Sequence, residues 1–519
     1  MRGRTWSLVC PLDDILPQSG VCALLDGHQI AVFRVHDEVF ALDNRDPASS
    51  ANVLSRGIVG DVMGELVVAS PLYKHHFGLR TGRCIESPEL SVRTYPARIA
   101  NGAVWVRSEA QVQKARGLHK RRLVVIGNGM AGMRAVEELL AVAPDAEIVM
   151  FGGEPHGNYN RTLLSPLLSG EKQVDDIMLH DHRWYAEHGV TLHADDPVIR
   201  IDRWRRVVVS KRGLVVPYQR LLLATGSTPV VLDVPGNGLP GVMTFRDLRD
   251  VDAMLAAARN FSSAVVIGGG LLGLEAAAGL QRRGMQVTVV HRSGTLMERQ
   301  LDDAAAALLR RSLEQRGVQF RLRARTEAIL GNARVSGVRL DDGSELAADL
   351  VVMAVGIRPN IDLAKRAGLH CERGVLVDDT MQTFDPSIYA VGECVQHRNT
   401  TYGLVAPLWD QARVCATHLA EVGHGRFAAP PISTRLKVTG IDLFSAGDFV
   451  GSARSESLVL KDPKRGVYKR LVIEDNRLRG AVLYGDTKDG AWYVDLMGRG
   501  DDIGPLRDQL LFGAAAAGS

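Results

Sequence analysis

Two glycine-rich motifs of the form G-x-G-x-x-G are the segments of this 519-residue sequence with the most defined chemistry. Each follows a short aliphatic run that predicts a buried strand, and each precedes an amphipathic segment that predicts a helix. Glycines at these positions allow a tight turn and a close approach of the backbone. A pyrophosphate can then sit on the N–H groups and the positive end of the helix dipole. The sequence therefore predicts two dinucleotide sites.

The first motif occupies residues 127–132, after the strand-like run 123–126. An acid follows it at Glu154, beyond a second strand-like run at 147–151. This is about where a carboxylate holds the hydroxyls of a nucleotide ribose. The alternative is a solvated loop carboxylate beside Gly152 and Gly153. The residues predicted to form this site are Gly127, Gly129, Met130, Ala131, Gly132 and Glu154.

The second motif occupies residues 268–273 and repeats the design, with one difference at the position that selects the nucleotide. Where an NAD site carries Asp or Glu, this chain has His291 followed by Arg292, and neither supplies a carboxylate. A guanidinium there can accept a 2′-phosphate, so NADPH is an option, whereas a solvated Arg292 would leave NADH as the substrate. The residues predicted to form this site are Gly268, Gly270, Leu271, Leu272, Gly273, His291 and Arg292.

The rest of the chain divides around these motifs. Short β-rich runs separated by Gly, Asp, Asn and Pro predict a small all-β domain at 1–110, and a polar basic stretch predicts a linker at 111–120. Strands then alternate with helices in the α/β manner to about residue 419. Strand-like runs return after residue 430 and are followed by a helix-like tail, which predicts a small α+β domain at 430–519.

Composition narrows the function classes. A hydrophobic content of 46%, a charged content of 23% and a net charge of +3 are ordinary values and argue against a nucleic-acid partner. The absence of a long apolar run or signal core predicts a cytoplasmic protein with no membrane partner. Six cysteines occur without a C-x-x-C pair, which predicts reduced thiols and no metal site.

Two further motifs extend the resemblance to a known family. With A-T-G at 224–226 and Y-A-V-G-E at 389–393, the two glycine units resemble the two-dinucleotide-binding-domain flavoprotein family. That resemblance implies an α/β fold with two nested Rossmann-type domains, an FAD domain at 121–240 and 358–425 and an NAD(P)H domain at 241–357. It places FAD on the first motif and adds Ala224, Thr225, Gly226, Gly392 and Glu393 to its site.

Within that family, the chain is similar to the flavin region of the NAD(P)H-dependent assimilatory nitrite reductase large subunit. The segments that carry the similarity are Y-N-R-T-L-L-S (159–165), L-M-E-R-Q-L-D (296–302) and V-G-I-R-P-N (355–360). It implies that Arg161 meets the polar edge or phosphates of the flavin, unless it is a plain surface arginine, and that residues 404–409 line the isoalloxazine. It also implies Glu275 near the nicotinamide, with a solvated helix glutamate as the alternative. The further site residues it implies are Pro407 and Leu408 for FAD, and Val355 and Gly356 for NAD(P)H.

The N-terminal domain resembles the small subunit of the same nitrite reductase, a Rieske-like β fold without a cluster. A Rieske centre needs Cys-x-His and Cys-x-x-His to hold its two irons. The corresponding segments here read D-P-A (46–48) and S-P-L-Y (70–73). His75 and His76 do not restore the site, so we expect no iron.

The expected function follows from the parts of the nitrite reductase large subunit that this chain does not resemble. No cysteine follows Cys415, so the iron–sulfur and sirohaem domains of the large subunit are not expected, and the chain should not reduce nitrite by itself. The leading hypothesis is an NAD(P)H oxidoreductase that passes electrons through FAD to a separate nitrite or nitrate reductase subunit. The alternatives are a general ferredoxin or rubredoxin reductase and a non-catalytic assembly subunit. The sequence leaves the oligomeric state open, a homodimer included.

Overall fold

The computed structural model describes residues 6–62, 65–87, 90–109, 122–423, 425–429, 433–436, 438 and 440–517. The predicted linker at 111–120 lies outside these residues. In the part of the chain that is described, no helix is both long enough and apolar enough to cross a membrane.

The N-terminal unit is built from short antiparallel strands. Its core consists of two apolar clusters that include Phe33, Phe77 and Val104, each fully buried. Its strands are β1 (Trp6–Pro11), β2 (Ser19–Leu25), β3 (His28–Val35), β4 (Glu38–Asp43), β5 (Ile58–Val62), β6 (Glu65–Ala69), β7 (His76–Gly78), β8 (Thr94–Tyr95), β9 (Ala97–Ala100) and β10 (Ala103–Arg107).

The first half of the next unit runs from residue 122 to about 229. Its elements are β11 (Leu123–Ile126), α1 (Met130–Val142), β12 (Ile148–Phe151), β13 (Asn158–Tyr159), α2 (Leu164–Ser169), β14 (Met178–His180), α3 (His182–Glu187), β15 (Val190–His193), β16 (Val198–Asp202), β17 (Val207–Ser210), β18 (Val215–Pro217), β19 (Arg220–Leu223) and β20 (Ser227–Pro229).

A second α/β unit is inserted at this point. Its elements are β21 (Val242–Thr244), α4 (Leu248–Asn260), β22 (Ser263–Ile267), α5 (Leu271–Arg282), β23 (Gln286–His291), α6 (Asp303–Gln315), β24 (Gln319–Leu322), β25 (Thr326–Gly331), β26 (Val335–Leu340), β27 (Glu345–Ala347) and β28 (Leu350–Met353).

The chain then returns to the first α/β unit. The returning elements are β29 (Ile357–Pro359), α7 (Asp362–Arg366), β30 (Val375–Val377), β31 (Ile388–Ala390), β32 (Val395–His397), β33 (Thr400–Thr401) and α8 (Ala406–Leu419). β31 pairs with β19 and completes a five-stranded parallel sheet in the order β15-β12-β11-β19-β31. The two crossings between the units, β20 and β29, pair with each other as an antiparallel ribbon.

The inserted unit has a parallel sheet of the same design, in the order β21-β28-β22-β23-β24. In both sheets the glycine motif follows a central strand that is buried on both faces, which explains the continuous aliphatic runs of β11 and β22. Ligands of such sheets bind outside the carboxyl ends of the strands, and both motifs lie there.

The C-terminal unit is an antiparallel sheet with a helix packed on it. Its elements are β34 (Ser433–Arg435), β35 (Leu443–Gly447), β36 (Glu456–Asp462), β37 (Val467–Glu474), β38 (Arg477–Tyr484), α9 (Gly490–Arg499) and α10 (Ala514–Ala517). Leu443 and Val482 of this sheet join the apolar cluster of the inserted unit, so the two units share a core.

Candidate dinucleotide sites

The first glycine motif forms a close-packed turn with one open position. Gly127 has φ +116°, and a Cβ there would lie 2.1 Å from the Ala224 carbonyl oxygen. A Cβ at Gly132 would lie 2.4 Å from the Gly127 carbonyl oxygen, so both glycines are required by the packing of α1 on the sheet. A Cβ at Gly129, the residue before α1, would meet nothing within 4 Å. The helix N-terminus therefore opens onto free space, as a pyrophosphate site requires.

The second motif repeats this geometry. Gly268 has φ +123°, and a Cβ there would lie 2.3 Å from the Ala354 carbonyl oxygen, while a Cβ at Gly273 would lie 2.1 Å from the Gly268 carbonyl oxygen. Gly270 is open, and so is Gly356, which has φ +127° in the loop after β28. The other predicted residues lie on the same side: Leu271 and Leu272 begin α5, and Val355 precedes Gly356.

The returning half of the FAD unit brings Gly392 and Glu393 to the first motif. A Cβ at Gly392 would lie 3.0 Å from the Ala131 methyl group, so this loop touches the start of α1 beside Met130. Glu393 Oε2 accepts hydrogen bonds from Arg246 Nη2 at 2.5 Å and Ser227 Oγ at 2.7 Å. The residues that sequence places far apart are thus gathered at one end of the sheet.

One buried polar atom at this end points to a missing ligand. Gln411 of α8 is fully buried, and its Oε1 accepts a hydrogen bond from the Gly392 N–H at 2.9 Å. Its Nε2 is buried without a hydrogen-bond partner among the described residues. Such an orphaned donor costs about 1–3 kcal/mol unless something accepts from it. Together with the open space at Gly129, it fits a bound dinucleotide.

Glu154, the predicted ribose acid, is paired with Tyr159 and with Arg161, another residue of the predicted FAD site. It accepts hydrogen bonds from the Tyr159 hydroxyl at 2.7 Å and from Arg161 Nη2. Burial raises the pKa of Tyr159 well above its usual range, and the Glu154 carboxylate adds to that rise. Burial alone would lower the pKa of Arg161, but Tyr159 and Glu154 together raise it. Glu154 and Arg161 therefore form a partly buried charged pair.

Asn360, just after β29, is hydrogen-bonded to the chain just before β20, where the FAD unit continues into the inserted unit. Asn360 donates through Nδ2 to the Thr225 carbonyl oxygen at 2.8 Å, and its backbone N–H donates to the Gly226 carbonyl oxygen at 2.9 Å. At α8, Pro407 occupies the first turn and Leu408 is buried in the apolar cluster of the FAD unit. The Leu408 side chain thus packs in the core, and lining of the flavin by residues 404–409 stays a prediction.

Glu275 lies at the boundary between the two nested units. It is 6% exposed, and its Oε2 accepts a hydrogen bond from Ser165 Oγ of α2 at 2.5 Å. One turn further along α5, a Cβ at Gly279 would lie 2.9 Å from the Cγ of Leu168. A cavity of about 180 Å³ borders this contact and includes Val438 of the C-terminal unit in its lining. Glu275 is therefore a buried residue of the α2–α5 interface and not a solvated helix glutamate.

The structure places an acid beside the predicted nucleotide-selecting position, which the sequence alone did not reveal. His291 ends β23, is 7% exposed, and its Nε2 lies 2.9 Å from Glu298 Oε2. Arg292 is exposed. A carboxylate therefore lies beside His291, contributed by Glu298, seven residues later in the same loop. The segment L-M-E-R-Q-L-D was the available signal, but nothing in its spacing shows where the acid lies.

The N-terminal unit has no ligand set for a Rieske cluster among the described residues. Asp46 is fully buried, and it accepts hydrogen bonds from Ser70 Oγ and, at 2.8 Å, from the Ala48 N–H. A direct bond between the two loops thus joins the segments that would carry the iron ligands. No group of three or more His, Cys, Asp or Glu suited to a metal occurs in the described part of the chain. These residues do not fit an iron–sulfur cluster.

Comparison with known proteins agrees with this architecture. Residues 121–415 match the family model described as pyridine nucleotide-disulphide oxidoreductase. Residues 5–107 match the Rieske-like [2Fe-2S] domain, and residues 432–501 match the rubredoxin NAD+ reductase C-terminal domain. The resemblance to this flavoprotein family and the predicted fold class are thereby confirmed.

Individual relatives are similar over three quarters of the chain. The chain is 48% identical to nitrite reductase [NAD(P)H] of Bacillus subtilis over 74% of its own length and 48% of the relative. It is 45% identical to the assimilatory nitrate reductase electron transfer subunit of the same species, over 76% of its own length and 51% of the relative. The chain therefore spans about half the length of these relatives.

A solved ferredoxin reductase of Rhodopseudomonas palustris aligns with a TM-score of 0.67 at 26% identity, covering 72% of this chain and 93% of that one. The predicted cofactors, FAD and a nicotinamide dinucleotide, are confirmed by these matches. The family model covers more than half of the residues of this chain. The chain therefore belongs to the pyridine nucleotide-disulphide oxidoreductase family and is an oxidoreductase that uses FAD and NAD(P)H as cofactors.

Proposed function

We propose that this protein is the electron-input component of nitrite or nitrate reduction, delivering electrons from NAD(P)H to a separate reductase subunit. The observation that carries the proposal is the pair of open glycine cradles at Gly129 and Gly270 in a chain whose described residues offer neither a dithiol nor cluster ligands. The names of the two Bacillus subtilis relatives support nitrite or nitrate as the final acceptor.

The protein's own part in the reaction is positioning. FAD, when bound, supplies a two-electron acceptor that can release electrons singly. The first motif with Gly392 and Glu393 would hold it, and the second motif would hold the nicotinamide dinucleotide. The α2–α5 contact, through Ser165 and Glu275, fixes one site relative to the other. Proximity of this kind can account for a large part of the barrier to transfer between two bound cofactors.

Disulfide chemistry does not fit this member of the family. All six cysteines are free thiols. Cys394, which follows Glu393, is buried, and burial raises the pKa of its thiol. The same is true of Cys415 in α8. A reactive cysteine needs a lowered pKa and access to solvent. The cysteines therefore provide no reactive dithiol, and the flavin, when bound, would supply the electrons to the acceptor.

A second candidate is a general NAD(P)H:ferredoxin or rubredoxin reductase. The match of residues 432–501 to the rubredoxin NAD+ reductase C-terminal domain favours it. The two candidates share the same electron input and differ in the acceptor protein. A homodimer and a cytoplasmic location stay predictions.

The test is an anaerobic assay in which NADH or NADPH is mixed with the purified yellow protein. We expect bleaching of the flavin, reduction of an artificial one-electron acceptor, and no consumption of nitrite. Nitrite should be consumed only when a separate sirohaem-containing reductase subunit is added. Consumption of nitrite by this chain alone would contradict the proposal, and faster turnover with ferredoxin or rubredoxin would favour the second candidate.

A further expected result concerns the N-terminal unit. Because Asp46 and Ser70 bond to each other where iron ligands would be needed, we expect the purified protein to contain flavin but no iron. Elemental analysis and electron paramagnetic resonance of the reduced protein check this. Stoichiometric iron with a Rieske-type signal, in protein purified without oxygen, would contradict the expectation of an iron-free protein.

A further inference from the structure

The loop after β23 is tied to the second glycine motif from both sides. The Gly269 N–H donates to His291 Nδ1 at 3.1 Å, and the Met297 N–H donates to the Gly269 carbonyl oxygen at 2.9 Å. Met297 is 1% exposed and has φ +52°, a left-handed conformation that costs energy for a residue with a side chain. This conformation turns the chain so that the next residue, Glu298, faces His291. The position of Glu298 is therefore set by the motif itself.

These bonds also set the charge of the pair. Because His291 Nδ1 accepts the Gly269 N–H, the ring proton resides on Nε2 and is donated to the Glu298 carboxylate, 2.9 Å away. A neutral imidazole hydrogen-bonded to a carboxylate carries one net negative charge. The Glu298 side chain is 33% exposed, so this charge is accessible to solvent beside the histidine that bonds to the second motif.

We infer that Glu298, held by His291, is the acid that selects NADH over NADPH in this protein. The inference rests on the proposed function, which places the adenosine ribose of the nicotinamide dinucleotide at the end of β23. A carboxylate there accepts a hydrogen bond from the ribose 2′-hydroxyl and repels a 2′-phosphate. His291 thus stands where the usual acid would end the strand, and its Nε2 is hydrogen-bonded to the carboxylate of Glu298.

The opposing charges in this loop are Arg292 and Arg299. Both side chains are exposed, whereas the carboxylate of Glu298 is fixed by a buried partner. An exposed, unfixed cation gains little from an anion, because solvent screens the pair and the long side chain loses entropy. The fixed negative charge should therefore dominate, and the unaltered protein should prefer NADH.

The experiment compares Glu298→Gln, Glu298→Asp and Arg292→Ala with the unaltered flavoprotein at one fixed salt concentration. Calorimetry measures Kd for NAD+ and NADP+, and steady-state assays measure kcat/KM for NADH and NADPH. Glu314→Gln is the matched control, since Glu314 lies in α6 in an exposed i, i+4 pair with Arg310. We expect Glu298→Gln to lower the ratio of the Kd for NADP+ to the Kd for NAD+ by about 10-fold or more.

The remaining variants sharpen the test. Glu298→Asp keeps the charge and should keep most of the preference for NAD+, and Glu314→Gln should leave the ratio unchanged. Arg292→Ala should change the ratio much less than Glu298→Gln does, because solvent screens the exposed cation; a larger change in Arg292→Ala would overturn the inference that the fixed carboxylate dominates. An unchanged ratio in Glu298→Gln overturns the inference while flavin reduction by NADH still stands. Absence of flavin reduction in the unaltered protein would instead overturn the proposed function.

Discussion

The Gly129→Val variant is expected to fold and to lose its FAD. Gly129 has φ −82° and ψ −179°, an extended conformation that valine adopts readily, and its Cβ would meet no protein atom within 4 Å. The added side chain would instead fill the space of the pyrophosphate at the start of α1. Losing two hydrogen bonds to a charged group, worth about 1.5–3 kcal/mol each, weakens FAD binding by at least about 100-fold. The flavin-to-protein ratio from visible absorbance measures this.

Two matched variants separate this effect from a general loss of stability. Gly270→Val makes the equivalent change in the second motif, where the space is also open, and should give a yellow protein that NADH does not reduce. Gly238→Val places the same side chain at another open glycine outside both motifs and should change neither property. A folded Gly129→Val protein with its full complement of flavin would show that the first motif does not hold FAD.

The two cradles could be predicted because their requirements are local. Gly127 and Gly268 both have strongly positive φ, and each lies against the carbonyl oxygen of the residue that follows the neighbouring strand, so the backbone demands glycine there. Strand, turn and helix follow one another within a short segment, which makes the motif specific. The nesting of the two units and the Rieske-like fold came from resemblance and not from the local pattern.

What the sequence could not predict depends on contacts between segments that are distant or turned unexpectedly. Glu298 meets His291 in a loop where Met297, the preceding residue, adopts a left-handed conformation, and no propensity predicts that for methionine. Glu154 was predicted as a ribose ligand, but its pairing with Arg161 depends on how the loop after β12 folds back. The burial of Glu275 depends on α2 of the other unit. In each case the missing information is tertiary geometry.

The α2–α5 contact is the place where a small change should have a large effect on the reaction. Ser165 and Glu275 bond across it, and Arg283 donates to the Leu168 carbonyl oxygen at 2.6 Å, so the two helices are joined above and below Gly279. Leu168 is fully buried, and it occupies the space in which a side chain at position 279 would lie. The absence of a side chain at 279 therefore sets how closely the FAD unit approaches the inserted unit.

The Gly279→Val variant is expected to retain FAD and to lose most of its reduction by NADH. The valine would force α2 away from α5 and shift one cofactor site relative to the other, and a displacement of about 1 Å can cost roughly 100-fold in rate. Stopped-flow reduction of the bound flavin by NADH measures this step directly, before any acceptor takes part. Neither glycine motif is altered, so the flavin content and the Kd for NAD+ should stay close to their original values.

Ala278→Val provides the comparison for this variant. Ala278 is the preceding residue of α5 and lines the adjacent cavity, so a valine there adds volume to the same helix where space exists. We expect its flavin to be reduced at nearly the original rate. If Gly279→Val also reacts at that rate, the contact between α2 and α5 does not control the distance between the two sites. If Gly279→Val loses flavin instead, the α2–α5 contact stabilises the FAD unit, and the proposal that this contact aligns the two sites is wrong.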